Sequence, residues 1–143
     1  MNAKKAKYHL LDVCTNKKFG ANQLAIFEDA TEIPSKKKQK IARELNLSET
    51  VFLFPKNTCG RYPMRIFTPV KELPTAGHPS IGTAYFLAQN FPKGDGIITI
   101  ALNQNIGPIE VKIEMSKKGP LMATMYQVCP HFGDILDNRS EIA

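Results

Sequence analysis

Cysteine is scarce in this chain: Cys14, Cys59 and Cys129 are the only three, far apart and in no CxxC spacing. An odd, dispersed set argues against a disulfide framework or a zinc ribbon, and reduced thiols of this kind fit a cytoplasmic protein. His9, His78 and His131 are equally scattered, so no metal cluster is expected. Walker, GxGxxG, HExxH and GxSxG patterns are all missing. The lysines at the N-terminus are followed by no apolar signal core. No charged residue falls between Leu73 and Phe91, yet His78, Gln89, Asn90 and two prolines dilute that run, and a membrane span needs about 20 mostly apolar residues.

What is present is ordinary for one soluble globular domain: 143 residues, 43% hydrophobic, 22% charged, net charge +6. The positive charge gathers in Lys4, Lys5 and Lys7 and in Lys36, Lys37, Lys38, Lys40 and Arg43. These read as a solvated tail and a solvated helix face. Contact with nucleic acid would need more than lysines, and no aromatic-studded strand or zinc finger accompanies them.

The uncharged stretch predicts a central helix opening at Pro79, since proline is favoured at a first helical position. Ile81, Ala84, Tyr85 and Ala88 recur at helical spacing, with Phe86 and Leu87 adding apolar residues outside that stripe. A helix apolar nearly all round is a buried one. Its free N–H groups at Gly77, His78, Pro79 and Ser80 form an end suited to an anion.

Around it, Tyr8–Cys14 and Leu24–Phe27 read as strands of a hairpin. Phe19 through Asn22 turn between them, Phe19 as an apolar plug and Gly20 and Asn22 as residues tolerant of positive φ. A helix follows Pro34, with Ser35 expected as its cap, Ile41, Ala42 and Leu45 buried, the lysines in water and Asn46 as its stop. Strands are predicted at Val51–Phe54, Arg61–Thr68, Ile97–Leu102, Ile109–Met115 and Leu121–Tyr126. In the fourth of these, Ile109, Val111, Ile113 and Met115 alternate with polar residues, the period of a strand with one wet face. About seven strands and two helices give an α+β domain: a curled, mixed or antiparallel sheet wrapped around one buried helix.

Two places carry chemistry. Glu49 stands at a helix-to-strand junction, directly before a segment that must be buried. An arbitrary glutamate there is more often a loop carboxylate in water. The other place is the helix start at Gly77-His78-Pro79-Ser80. No histidine neighbours Cys14 or Cys59 in sequence, so a thiol nucleophile has no evident base.

Four segments, Phe19–Phe27, Ile41–Phe52, Arg65–Pro69 and Glu72–Ala84, resemble in the same order the phenazine-biosynthesis (PhzF-like) isomerase family. The resemblance implies a diaminopimelate-epimerase-like fold, two similar lobes with a cleft between them. It implies Glu49 as the acid/base that moves a proton between substrate carbons without a cofactor. Asn22, Ser48, Gly77, His78, Pro79 and Ser80 are implied as substrate contacts, and the substrate as a small carboxylic acid. A carboxyl group that delivers protons to carbon works best in a partly dry cleft. Departures are Ala21 and Gln23 where glycine and proline are usual, and Thr75 where an aromatic is common. Position 78 is His rather than the cysteine of related racemases, so two-thiol racemisation is not supported. Family members run to about twice this length. Residues 1–128 are therefore expected to form the N-terminal lobe, and 129–143 a linker and the opening of a second lobe at Arg139–Ala143. A homodimer would place a second copy where that lobe belongs. The alternative is a truncated, catalytically weak member acting as a self-associating or binding module.

Overall fold

A computed structural model of the chain describes residues 5–127 and 129–133. Its elements are β1 (Tyr8–Val13), β2 (Asn22–Phe27), α1 (Ser35–Leu45), β3 (Glu49–Leu53), β4 (Tyr62–Phe67), β5 (Glu72–Leu73), α2 (Gly77–Ala88), β6 (Gly96–Gln104), β7 (Gly107–Ser116) and β8 (Gly119–Met125). The sheet order is β1-β2-β3-β4-β6-β7-β8, with β5 pairing on β4. The β2–β3 and β4–β6 pairs are parallel and the other pairs antiparallel. Parallel neighbours require a crossover. Here α1 makes the first, and α2 lies within the second. The sheet curls so that α2 touches β1, β2, β3, β6, β7 and β8. This is the expected α+β arrangement.

Strand period explains both cores. Leu24 and Ile26, Val51 and Leu53, Met64 and Ile66, and Ile100 and Leu102 are each two residues apart and share the inner face with Ala84, Leu87 and Ala88 of α2. The intervening Phe27, Phe52 and Phe67 point outward to meet Ala42 of α1. Phe52 is fully buried there, stacked on Phe27 at 5.0 Å and edge-on to Phe67 at 5.4 Å. Such pairs add about 0.5–1.5 kcal/mol each beyond area burial. Strand β3 is covered on both faces, which is why it reads as an unbroken apolar run.

Several expectations need correction. Ser35 does not cap α1: Pro34 holds the cap position without a side-chain bond, and the Ser35 hydroxyl accepts from Arg65 Nη1 at 3.0 Å. Lys38 does not face water but is 2% exposed. Its ammonium donates to the Ile33 and Ala30 carbonyls over the rings of Phe52 and Phe54. Burial pushes its pKa down, with Arg65 nearby adding to the effect. Phe19 is no plug but 90% exposed. Positive φ falls on Cys14 and Phe19 rather than on Gly20 and Asn22. Asn46 does end α1, in the left-handed region at φ 52°.

On α2 the buried residues are Pro79, Ser80, Gly82, Thr83, Ala84, Leu87 and Ala88, while Ile81 and Tyr85 of the expected stripe are half-buried. A sheet that wraps several sides of a helix leaves no single apolar stripe. Gly82 is the point of closest approach: a Cβ there would lie 2.7 Å from Val13 Cγ2 and 2.8 Å from Leu24 Cδ2. The two-residue β5 had no sequence signal, and it makes the strand count eight. The helix opening anticipated at Arg139–Ala143 lies outside the described residues. No helix among the described residues is long and apolar enough to cross a membrane.

Candidate active site

Alternation along β3 decides where Glu49 points. Val51 and Leu53 face α2, so Glu49, two residues earlier, faces the same way. Parallel pairing sets it level with Leu24 of β2. Opposite stands His78, the second residue of α2. Glu49 Oε2 lies 3.2 Å from His78 Nε2, and each side chain is 18% exposed. The two atoms are themselves out of solvent, yet their approach is not aligned as a hydrogen bond, and no other described residue bonds either of them. They lie within ion-pair distance of each other and are held by no other described side chain.

The helix start beside them is also unspent. Ala76 precedes α2 in extended conformation, φ −158° and ψ 144°, with no side-chain cap and no acidic residue in the first turn. Ser80 N–H bonds back to Ala76 O at 3.4 Å, and Pro79 has no N–H. The Gly77 and His78 N–H groups therefore stand at the positive end of the helix without an intrahelical acceptor. This site has a paired acid/base candidate, two donors without an intrahelical acceptor and a local positive potential. It suits removal of a proton from carbon next to a bound carboxylate.

The other expected site residues are spread around this centre. Asn22 and Ser48 are exposed and line a shallow hollow of about 370 Å³ together with Asp12, Phe19 and Asn46. Ser48 adjoins Glu49 in the chain, while Asn22 opens β2. Pro79 and Ser80 are fully buried. The Ser80 hydroxyl donates to Ala76 O at 2.6 Å and accepts from Gln104 Nε2 at 2.6 Å. Gln104, not singled out from sequence, accepts from the Thr75 hydroxyl under the helix start. Gln127 Nε2 would be 3.6 Å from a Cβ at Gly77. Only their polar character at element ends hinted at this.

A larger cavity, about 520 Å³, lies elsewhere, between β1 and β8 over Gly82 and Tyr85. Its carboxylate, Asp12, already accepts from the Phe19 N–H at 3.2 Å, and no acid/base pair lines it. The close carboxylate–imidazole approach is that of Glu49 and His78. Among the described residues, no group of three or more His, Cys, Asp or Glu is placed to hold a metal ion.

Comparison with known proteins bears on the family and the fold. Over 123 residues the chain is 36% identical to the trans-2,3-dihydro-3-hydroxyanthranilate isomerase of Pseudomonas chlororaphis, covering 86% of this chain and 43% of that protein. It superposes on a Bacillus anthracis phenazine biosynthesis protein of the PhzF family with a TM-score of 0.77 at 26% identity, over 99% of this chain and 46% of the other. A hydroxyproline epimerase from Agrobacterium vitis, 11% identical, shares the fold with a TM-score of 0.58 over 73% of this chain and 38% of its own. The chain thus spans less than half the length of the relatives it matches. The PhzC-PhzF profile, described as phenazine biosynthesis-like protein, matches residues 11–143, and the chain belongs to that family.

Proposed function

We propose that this chain supplies one lobe of a cofactor-independent isomerase that moves a proton between two carbons of a small cyclic or unsaturated carboxylic acid. The observation that carries this reading is the 3.2 Å approach of Glu49 to His78 at the uncapped start of α2. Glu49 takes the proton as its C–H bond breaks. The electron pair enters the adjoining π system and shifts the double bond. Glu49 then returns the proton to a second carbon, so nothing is oxidised or reduced. His78 holds the carboxyl group in place and can exchange a proton with it. The Gly77 and His78 N–H groups bind the substrate carboxylate and stabilise charge that spreads onto it. Asn22 and Ser48 contact the outer part of the substrate. The relative named as an isomerase of trans-2,3-dihydro-3-hydroxyanthranilate suggests a substrate of that chemical class.

The test is incubation with trans-2,3-dihydro-3-hydroxyanthranilate in D2O, following deuterium at carbon by NMR. Little turnover is expected of the isolated lobe. Where a second lobe or second copy closes the cleft, wild type is expected to isomerise it, and Glu49→Gln to lose about 10²–10⁴-fold in rate, the usual contribution of a positioned acid/base. An unchanged rate in Glu49→Gln would overturn the assignment.

A second reading has its own observation. Leu10, Leu121 and Met122 are large apolar side chains more than half exposed, and β1 and β8, which carry them, are the two ends of the sheet order. An apolar surface of this kind favours self-association, as in a homodimer whose second copy walls the cleft. Sedimentation at rising concentration checks it: a monomer throughout removes the dimer.

A further inference from the structure

We propose that Gln104 is a positioning residue for this site, a buried amide that holds the entry to α2 from beneath and so leaves the helix's first N–H groups free. The proposal rests on the functional reading above and adds to it the means by which the site is kept in shape.

Gln104 is the last residue of β6 and is 5% exposed. Its Oε1 accepts from Thr75 Oγ1 at 2.7 Å, and its Nε2 donates to Ser80 Oγ at 2.6 Å. The orientation of the amide follows from its partners. Ser80 Oγ spends its one proton on Ala76 O, so toward Gln104 it accepts, and the group facing it must be the NH2. Oε1 is then left for the Thr75 hydroxyl. The second Nε2 hydrogen lies toward Met64 Sδ, 3.8 Å away. One side chain thereby ties together the hydroxyls on both sides of Ala76-Gly77-His78-Pro79.

This grip replaces a conventional cap. A Ser, Thr, Asp or Asn at position 76 would accept from an N–H of the first turn. With Pro79 at the third position, the His78 N–H would be consumed. Alanine at 76 cannot do this, and the turn is anchored instead through Thr75 and Ser80, whose bonds to Gln104 use no main-chain donor. Stability of the turn and availability of its donors are thereby separated. His78, carried by the same turn, keeps its 3.2 Å approach to Glu49.

Two variants of the full chain test the proposal. Gln104→Met removes both bonds at similar side-chain length, and Thr75→Val removes one arm from a half-buried position. Backbone amide shifts are recorded by NMR, and binding is followed with anthranilate as a carboxylate probe. Gln104→Met is expected to displace the Gly77 and His78 amide resonances while leaving Leu24 and Ile26 in place, and to weaken anthranilate about tenfold, the loss of roughly one good buried hydrogen bond's worth of order. Thr75→Val should move the same resonances less, with a loss of about threefold. Gly77 and His78 resonances that stay in place in both folded variants would overturn the proposal. Should Gln104→Met fail to fold, Thr75→Val decides on the same terms. A wild-type chain that binds no anthranilate would count against the substrate reading alone, and the amide shifts would still decide the role of Gln104.

Discussion

Gly82 offers a sharp test because two known effects of replacing it oppose each other. Alanine is favoured over glycine inside a helix by about 1 kcal/mol, so on propensity alone Gly82→Ala should stabilise α2. The added methyl, however, would come within 2.7 Å of Val13 Cγ2 and 2.8 Å of Leu24 Cδ2. Leu24 is fully buried in the second strand of the sheet and Val13 is 6% exposed, so neither has solvent to retreat into. Val13 is also stiff at χ1 because it is β-branched. Overpacking costs about 1–3 kcal/mol, and two buried neighbours under 3.0 Å place this case in the upper part, about 2–3 kcal/mol, so that after the helix gain the balance is a net loss of about 1–2 kcal/mol. For a chain of this size that lowers Tm by about 3–8 °C, measurable by circular dichroism. Removing the clashing methyls should recover part of it. The Gly82→Ala, Val13→Ala double variant is expected to be about 1 kcal/mol more stable than the sum of the single changes. Wild-type or higher stability in Gly82→Ala would refute the close seating of α2 on β1 and β2.

Two further outcomes follow from groups outside the Glu49–His78 pair. Arg65 Nε and Nη2 each donate to Glu72 at 2.7 Å, and Asn105 adds a third bond at 3.0 Å, so Arg65 above all holds the Glu72 carboxyl below the usual carboxylate range. A lowered folded value means stability is fully present above the free value of 4.5 and is lost as pH falls through the folded one. Urea titrations should show Glu72→Gln about 1 kcal/mol less stable than wild type at pH 7 and the gap closing progressively below pH 4.5. At the end of α1, Asn46 has φ 52°, so Asn46→Gly should change stability by only a few tenths of a kcal/mol while Asn46→Ala costs about 1 kcal/mol in the same titration.

The parts of the fold legible in sequence are those with a simple period. Strand β7 alternates from Ile109 to Met115, and its odd positions are buried as that pattern requires. The central helix was legible from its lack of charge, but which residues it buries depended on a sheet that surrounds it. Ile81 and Tyr85 looked like core, whereas Gly82 and Thr83 are the buried ones. Lys38 illustrates the limit of charge as a guide. Its aliphatic stem lies among aromatic rings, and carbonyls of the preceding loop satisfy the ammonium, a pairing across the loop that no local pattern encodes. At the site, Glu49 and His78 lie 29 residues apart in the chain, and only the resemblance linked them in advance. Gln104 stood among the polar residues of a hairpin turn, where nothing distinguishes a buried amide from a solvated one.

The parallel contact between β4 and β6 consists of two register pairs, Tyr62 with Leu102 and Pro63 with Asn103. Proline has no N–H to give to such a ladder, and the Pro63 carbonyl is already taken by the Phe54 N–H at 2.9 Å. By contrast β6 and β7 match along nine residues. The sheet is therefore continuous in order but not in strength, a waist between a β1–β5 half and a β6–β8 meander. What joins the halves beyond those two pairs is α2, which packs on strands of both. Glu49 belongs to the first half and Gln104 to the second, so the waist runs between the proton-transfer group and the residue that shapes its partner helix.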